Sequence, residues 1–122
     1  GLRHLTNLRQ LRVLHLGRAK VTSAGLIHLK HLDQLRWLDL SYTDVDNDAC
    51  RIARNLKSLI ELNLEGTRVT DEGLELLRSA RQLRTLHLYR TSVSETGMQE
   101  LQRYLPKCVI TPLQPFDREK RP

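Results

Sequence analysis

The sequence predicts an α/β right-handed solenoid, with a parallel sheet on its concave side and short helices on its convex side. Two observations carry that expectation. The pattern LxxLxL opens at Leu11, Leu35, Leu59 and Leu83, each opening 24 residues after the last. Between these openings apolar residues recur three apart, as at Leu26, Leu29 and Leu32. A fixed period of that length marks a stack of similar units rather than one folded core.

The elements follow in chain order. Residues 1–10 match a second half alone, since Gly1, Leu2, Leu5 and Leu8 recur as Gly25, Leu26, Leu29 and Leu32. The next stretch has period two: Leu14 and Leu16 face one side, Val13 and His15 the other, which describes a short half-buried strand. The three-apart spacing that follows marks one face of a short helix. Thr22, Asp46, Thr70 and Ser94 precede these helices as N-caps. Gly1, Gly25, Ala49, Gly73 and Gly97 recur in the first turn, where a small residue would let each helix approach the strand layer. After one extra residue, LPKCVIT leads into a final partial strand at 108–111. A repeat domain over 1–111 is therefore expected, with a loosely packed tail at 112–122, where TPLQPFDREKRP carries three prolines and a charged end. One strand and one helix cannot bury their own apolar faces, but stacked units can. With no strand ahead of Leu14 and Leu16, the N-terminal end should be an open apolar edge, covered by further chain or by self-association.

The motif LxxLxLxxTxVTDxGLxxL resembles the repeats of bacterial leucine-rich-repeat proteins. With Thr at the ninth place it is similar to repeats common in planctomycete proteins, to those of plant-pathogen F-box effectors, and to the cysteine-containing repeats of eukaryotic F-box proteins. The resemblance implies a solenoid that binds other macromolecules, without naming the partner. That family carries Asn or Cys where this chain has Ala19, Thr43, Thr67 and Thr91. A hydroxyl there is expected to bond the turn backbone of the neighbouring repeat, with Ala19 leaving a looser turn. Cys50 and Ala53 stand in place of two core leucines, which predicts that the second repeat's helix packs least well.

Composition narrows the function. The net charge is +6 with a pI near 9.8, which admits an acidic partner, a nucleic acid or an anionic membrane surface. Nucleic acid is disfavoured, because no nucleic-acid module or interleaved aromatic platform is present. No apolar run approaches the ~18 residues of a membrane span, and GLRHLTNLRQ has no signal-peptide character. Cys50 and Cys108 are too few for a disulfide framework and should be unbridged, buried small hydrophobes. The glycines lie a repeat apart and form no phosphate loop. His28 and His31, with His4 one repeat earlier, are too few for a metal site. No cofactor is implied. His15, Asp39 and His87 share one column, but the pattern sets no Ser or Cys nucleophile beside them. A non-enzymatic role is therefore expected.

The binding candidates come from the strand alternation. If Leu38 and Leu40 point inward, Trp37 and Asp39 point outward. The expected surface is Trp37, Tyr42 and Tyr89, with Asp39, Glu61, Glu65, Arg18, Arg90, His15 and His87 around them, and the expected partner is a protein or peptide. The competing reading packs these side chains on their neighbours and makes the chain an architectural spacer. Charge supplies a third reading. Acidic residues gather at helix starts (Asp46, Asp48, Asp71, Glu72 and Glu95) and basic ones at helix ends and strand starts. Helix dipoles favour that polarity, and an acidic partner bound along the basic edge would use it.

Overall fold

The computed structural model describes residues 2, 3 and 8–113. Five short strands form one parallel sheet in chain order: β1 (Val13–His15), β2 (Trp37–Asp39), β3 (Glu61–Asn63), β4 (Thr85–His87) and β5 (Val109–Thr111). Leu14, Leu38, Leu62, Leu86 and Ile110 lie side by side in one inward row. Backbone bonding runs on past the named strands, as in Leu40 N–H to Asn63 C=O at 2.9 Å and Tyr42 N–H to Glu65 C=O at 2.7 Å. The chain thus folds as an α/β leucine-rich-repeat solenoid, sheet on one side and helices on the other.

The core is the leucine lattice itself. Leu38, Leu40, Leu62, Leu64, Leu86 and Leu88 are buried between sheet and helices, with Leu29, Leu32, Leu56 and Leu77 facing them. Each repeat closes the core of the one before, because no single strand–helix unit has two apolar walls. At the N-terminal side Leu14 and Leu16 are only half-buried. Beyond β5, Leu113 is buried. The rest of the expected tail, 114–122, lies outside the described residues, as does most of the helix expected in 1–10.

The short helix of repeat one is a 3-10 helix (Ser23–Leu29). Several local expectations are corrected. The repeat-two helix α1 (Asp48–Arg54) is not loosely packed: Ala49, Cys50 and Ala53 are at most 1% exposed. The threonine column bonds within its own repeat, as Thr43, Thr67 and Thr91 donate to the carbonyls of Leu40, Leu64 and Leu88 at 2.6–2.7 Å. Ala19 lacks that bond, yet its turn keeps the backbone bond to Leu16 C=O at 3.0 Å. The extra residue near the end is absorbed in helix α3 (Glu95–Tyr104), which is longer than α1 or α2 (Asp71–Leu76). The turn into β5 shortens to match, so Leu86 still pairs with Ile110, 24 residues on.

The helix starts do more than cap. Of the four expected caps, Ser94 accepts from Gly97 N–H at 2.9 Å, and Asp46 accepts from Asp48 N–H at 3.0 Å, whereas Thr22 and Thr70 make no side-chain cap bond. Instead each repeat clasps the next. The Asn47 amide accepts from Thr70 N–H at 2.9 Å and donates to the Thr70 hydroxyl at 2.8 Å. Asp71 accepts from Ser94 N–H at 2.8 Å and from its hydroxyl at 2.6 Å. Ser23 bonds both the backbone and the carboxylate of Asp46. In the glycine column, Gly73 and Gly97 make room for this clasp, whereas Gly25 faces Leu2. A Cβ on Gly73 would stand 2.4 Å from Asn47 Oδ1, and one on Gly97 2.4 Å from Asp71 Oδ1. Only the shorter Ser23 is paired with an alanine, Ala49.

Candidate functional site

On the outward face, the parallel register places Val13, Trp37, Glu61, Thr85 and Val109 in one row, and His15, Asp39, Asn63, His87 and Thr111 in the next. The side chains join across the rows. The Trp37 indole N–H donates to Glu61 Oε1 at 2.6 Å, and its ring meets the His15 ring edge-on at 5.8 Å. Glu61 Oε2 lies 3.0 Å from His87 Nε2, and His87 Nδ1 lies 3.2 Å from the Thr111 hydroxyl. One line of contacts, His15–Trp37–Glu61–His87–Thr111, therefore crosses all five strands. Asp39 lies beside it, 3.7 Å from His15 Nδ1, and accepts from Ser41 N–H at 2.9 Å. Partial burial raises the Asp39 pKa, but its bonds from Ser41 and His15 outweigh that, leaving it below the ordinary carboxylate value.

A second group sits where the strands end. Tyr42 donates its hydroxyl to Glu65 Oε2 at 2.8 Å, which raises the phenol above its ordinary pKa. The Arg18 guanidinium lies 4.4 Å over the Tyr42 ring centroid, a cation–π contact. Arg18, Tyr42, Gly66 and Arg90 all occupy the left-handed backbone region, with φ of 63°, 56°, 71° and 58°. This shared turn swings one residue per repeat off the strand row. Gly66 is set apart from the other three by its neighbour, since a Cβ there would run into the Tyr42 ring.

The candidate residues thus divide. Trp37 and Tyr89 are 43% and 45% exposed. Tyr42 is not fully exposed as expected, because its ring lies across Gly66 and it is half-buried. Asp39, Glu61, Glu65 and His87 are half-buried and bonded, while His15, Arg18 and Arg90 are exposed. Between Trp37, Asp39, Glu61, Asn63 and His15 lies a shallow dent of about 170 Å³.

Sequence reading missed Thr111 as a partner of His87. The order carboxylate, imidazole, hydroxyl is that of a catalytic relay. Such a relay needs a water-excluding pocket beside the nucleophile, and the dent is lined by neither His87 nor Thr111. Among the described residues no cluster of three metal-ligating side chains occurs, and no helix is long and apolar enough to cross a membrane.

No protein-family model and no curated protein sequence matches the chain. Solved structures do match. Internalin C2 of Listeria monocytogenes superposes with a TM-score of 0.68 at 24% identity, over 88% of this chain and 45% of its own. A leucine-rich-repeat protein of Leptospira interrogans gives 0.68 at 25% identity, over 88% of this chain and 27% of its own. The plant peptide hormone receptor RGFR1, in complex with RGF2, gives 0.54 at 13% identity, over 93% of this chain and 22% of its own. The chain spans less than half the length of each of these proteins. What they share with it is the leucine-rich-repeat fold.

Proposed function

We propose that this chain is a protein-interaction module that takes a protein or peptide segment across the outward face of its sheet, without catalysis. The observation carrying the reading is Trp37: a large ring, 43% exposed, between Val13 and Glu61 in its row and held in one pose by His15 and Glu61. A pre-positioned aromatic loses little freedom on binding and offers a broad desolvating surface. The bonded acids around it then set the register of the partner. The repeat itself we read as the planctomycete-like bacterial type. The matched plant receptor is a peptide hormone receptor in complex with RGF2, which supports a peptide over a small metabolite.

The test is selection of binders from a random peptide library displayed on phage, followed by affinities for Trp37→Ala. The expected loss is about 2 kcal/mol or more if Trp37 is a central anchor, roughly thirtyfold. Removing Trp37 should cost no more than about 1 kcal/mol of stability, because the lost bond is exposed. Hydrogen-exchange footprints confined to the helices, or a Trp37→Ala variant that fails to fold, would refute the reading.

A further inference from the structure

The strongest charged feature lies away from the sheet face, where helix α3 ends and the chain turns into β5. A half-open cleft of about 520 Å³ is lined by Arg81, Arg84, Arg103 and Lys107, with Tyr104 and Pro106 among its walls and no carboxylate. Elsewhere on the surface, Arg51 and Arg68 lie within 4 Å of Asp48 and Asp44. Of the four cleft cations only Arg103 has an acidic partner among the described residues, Glu100 at 3.9 Å. We propose that this cleft is a binding site for a ligand carrying two linked phosphoryl groups.

Helix polarity does not account for the cluster. The last turn of α3 contains one basic residue, Arg103, whereas Arg81, Arg84 and Lys107 lie on the turns before β4 and β5. The carbonyls just beyond α3 are already served by Gln102, whose amide donates to Leu105 C=O and Cys108 C=O at 2.9 Å each. Only part of the cluster repeats along the solenoid: Lys57 precedes Arg81 by one repeat and Arg36 precedes Arg84 by two, but Ile60 and Ser79 stand 24 residues before Arg84 and Arg103, so no earlier repeat holds the full set. The cations converge only where the longer helix and the Leu105–Lys107 turn meet.

The cleft is partly pre-organised. Arg84 Nη1 donates to Arg81 C=O at 2.8 Å and to Leu83 C=O at 3.1 Å, which braces the guanidinium and leaves its other donors for a ligand. Arg78 stacks 4.5 Å over the Tyr104 ring and donates to its hydroxyl oxygen at 3.3 Å. Tyr104 is thereby held as a wall, with its hydroxyl proton available to donate. Guanidinium forks match phosphoryl oxygens two at a time. Four cations and a cleft of this volume exceed what a single phosphate would balance, which points to the diphosphate class.

The test is calorimetry and amide NMR of the full chain with sodium pyrophosphate, inorganic phosphate as the smaller probe. The proposal expects saturable one-to-one binding of pyrophosphate, at least tenfold tighter than phosphate, with shifts at 81–84 and 103–108. Arg81→Gln and Lys107→Gln should each weaken it at least tenfold. Both residues are exposed, so these variants should fold, which circular dichroism checks. Arg54→Gln, on the same edge but outside the cleft, and Trp37→Ala should leave binding unchanged, so this result is independent of the sheet-face reading. Phosphatidylcholine vesicles doped with a bisphosphorylated inositol lipid separate the sources. Co-sedimentation competed away by pyrophosphate assigns a lipid headgroup, and its absence assigns a soluble ligand. Failure of pyrophosphate to saturate, equal weakening by Arg54→Gln, or cleft shifts produced by a polyglutamate peptide but not by pyrophosphate would overturn the proposal.

Discussion

Asp46 illustrates how much one side chain does in a stack. Its carboxylate accepts from Asp48 N–H and from the Ser23 hydroxyl, and these bonds hold its pKa below the ordinary aspartate value. A depressed folded-state pKa adds stability above the unfolded value, near 4, and that stability is lost as pH falls through the folded value. Asp46→Asn keeps an acceptor but cannot titrate. Wild type should therefore melt higher than the variant at pH 6, and the gap should narrow as pH falls below the ordinary carboxylate range, as thermal melts across acid pH would show. The two thiols lie at the opposite extreme. Burial pushes Cys50 up to about 12 and Cys108 up to about 11, and both are free. Since the thiolate is the reactive form, neither should react with a thiol reagent at pH 8 in the folded protein, and both should react in denaturant. Rapid labelling of either without denaturant would contradict the burial.

At the scale of the element, the clasp between successive helix starts sets which residues are tolerated. Gly73 carries a helix cost of about 1 kcal/mol relative to alanine, and the structure explains why it persists: Asn47 needs the space. Gly73→Ala should gain that propensity but displace Asn47, losing bonds worth about 1 kcal/mol each, so the single change should be neutral to destabilising. With Asn47→Ser, which copies the natural Ser23 and Ala49 pairing, Gly73→Ala should become less costly, with Cys50 Sγ, 3.0 Å from the added Cβ, left to give way. A double-mutant cycle by urea denaturation checks this. Additive effects, with no coupling between the two positions, would show that the glycine serves another purpose.

Across the whole molecule, stability should grade from one end to the other. Leu62 lies in the central inward row with strands on both sides and is fully buried, whereas Leu14 occupies the same row at the sheet edge and is half-buried. Leu62→Ala should cost about 2–5 kcal/mol, and Leu14→Ala clearly less. Amide exchange should follow the same order, faster at Leu16 and Arg18 than at Leu64 and Gly66. Uniform protection along the sheet would mean that the repeats do not stack as independent neighbours.

The repeat, its 24-residue register and the side of the sheet each strand residue faces were legible in the sequence. They rest on periodicity alone: a period-two strand repeated at a constant interval admits one inward row, so Trp37, Asp39 and Glu61 had to face outward. What periodicity does not encode is how side chains use the space between repeats. The Trp37–Glu61–His87–Thr111 line, the Tyr42 ring across Gly66, and the clasp that makes Gly73 and Gly97 necessary all join residues of different repeats. Their partners depend on rotamers, and on left-handed turns that carry no one-residue signature, since Arg18, Tyr42 and Arg90 adopt them as Gly66 does. The cleft at Arg81, Arg84, Arg103 and Lys107 likewise needed the tertiary structure. It exists because one helix gained a residue and the following turn lost one, a change that leaves the register intact and is visible only where the two meet in space.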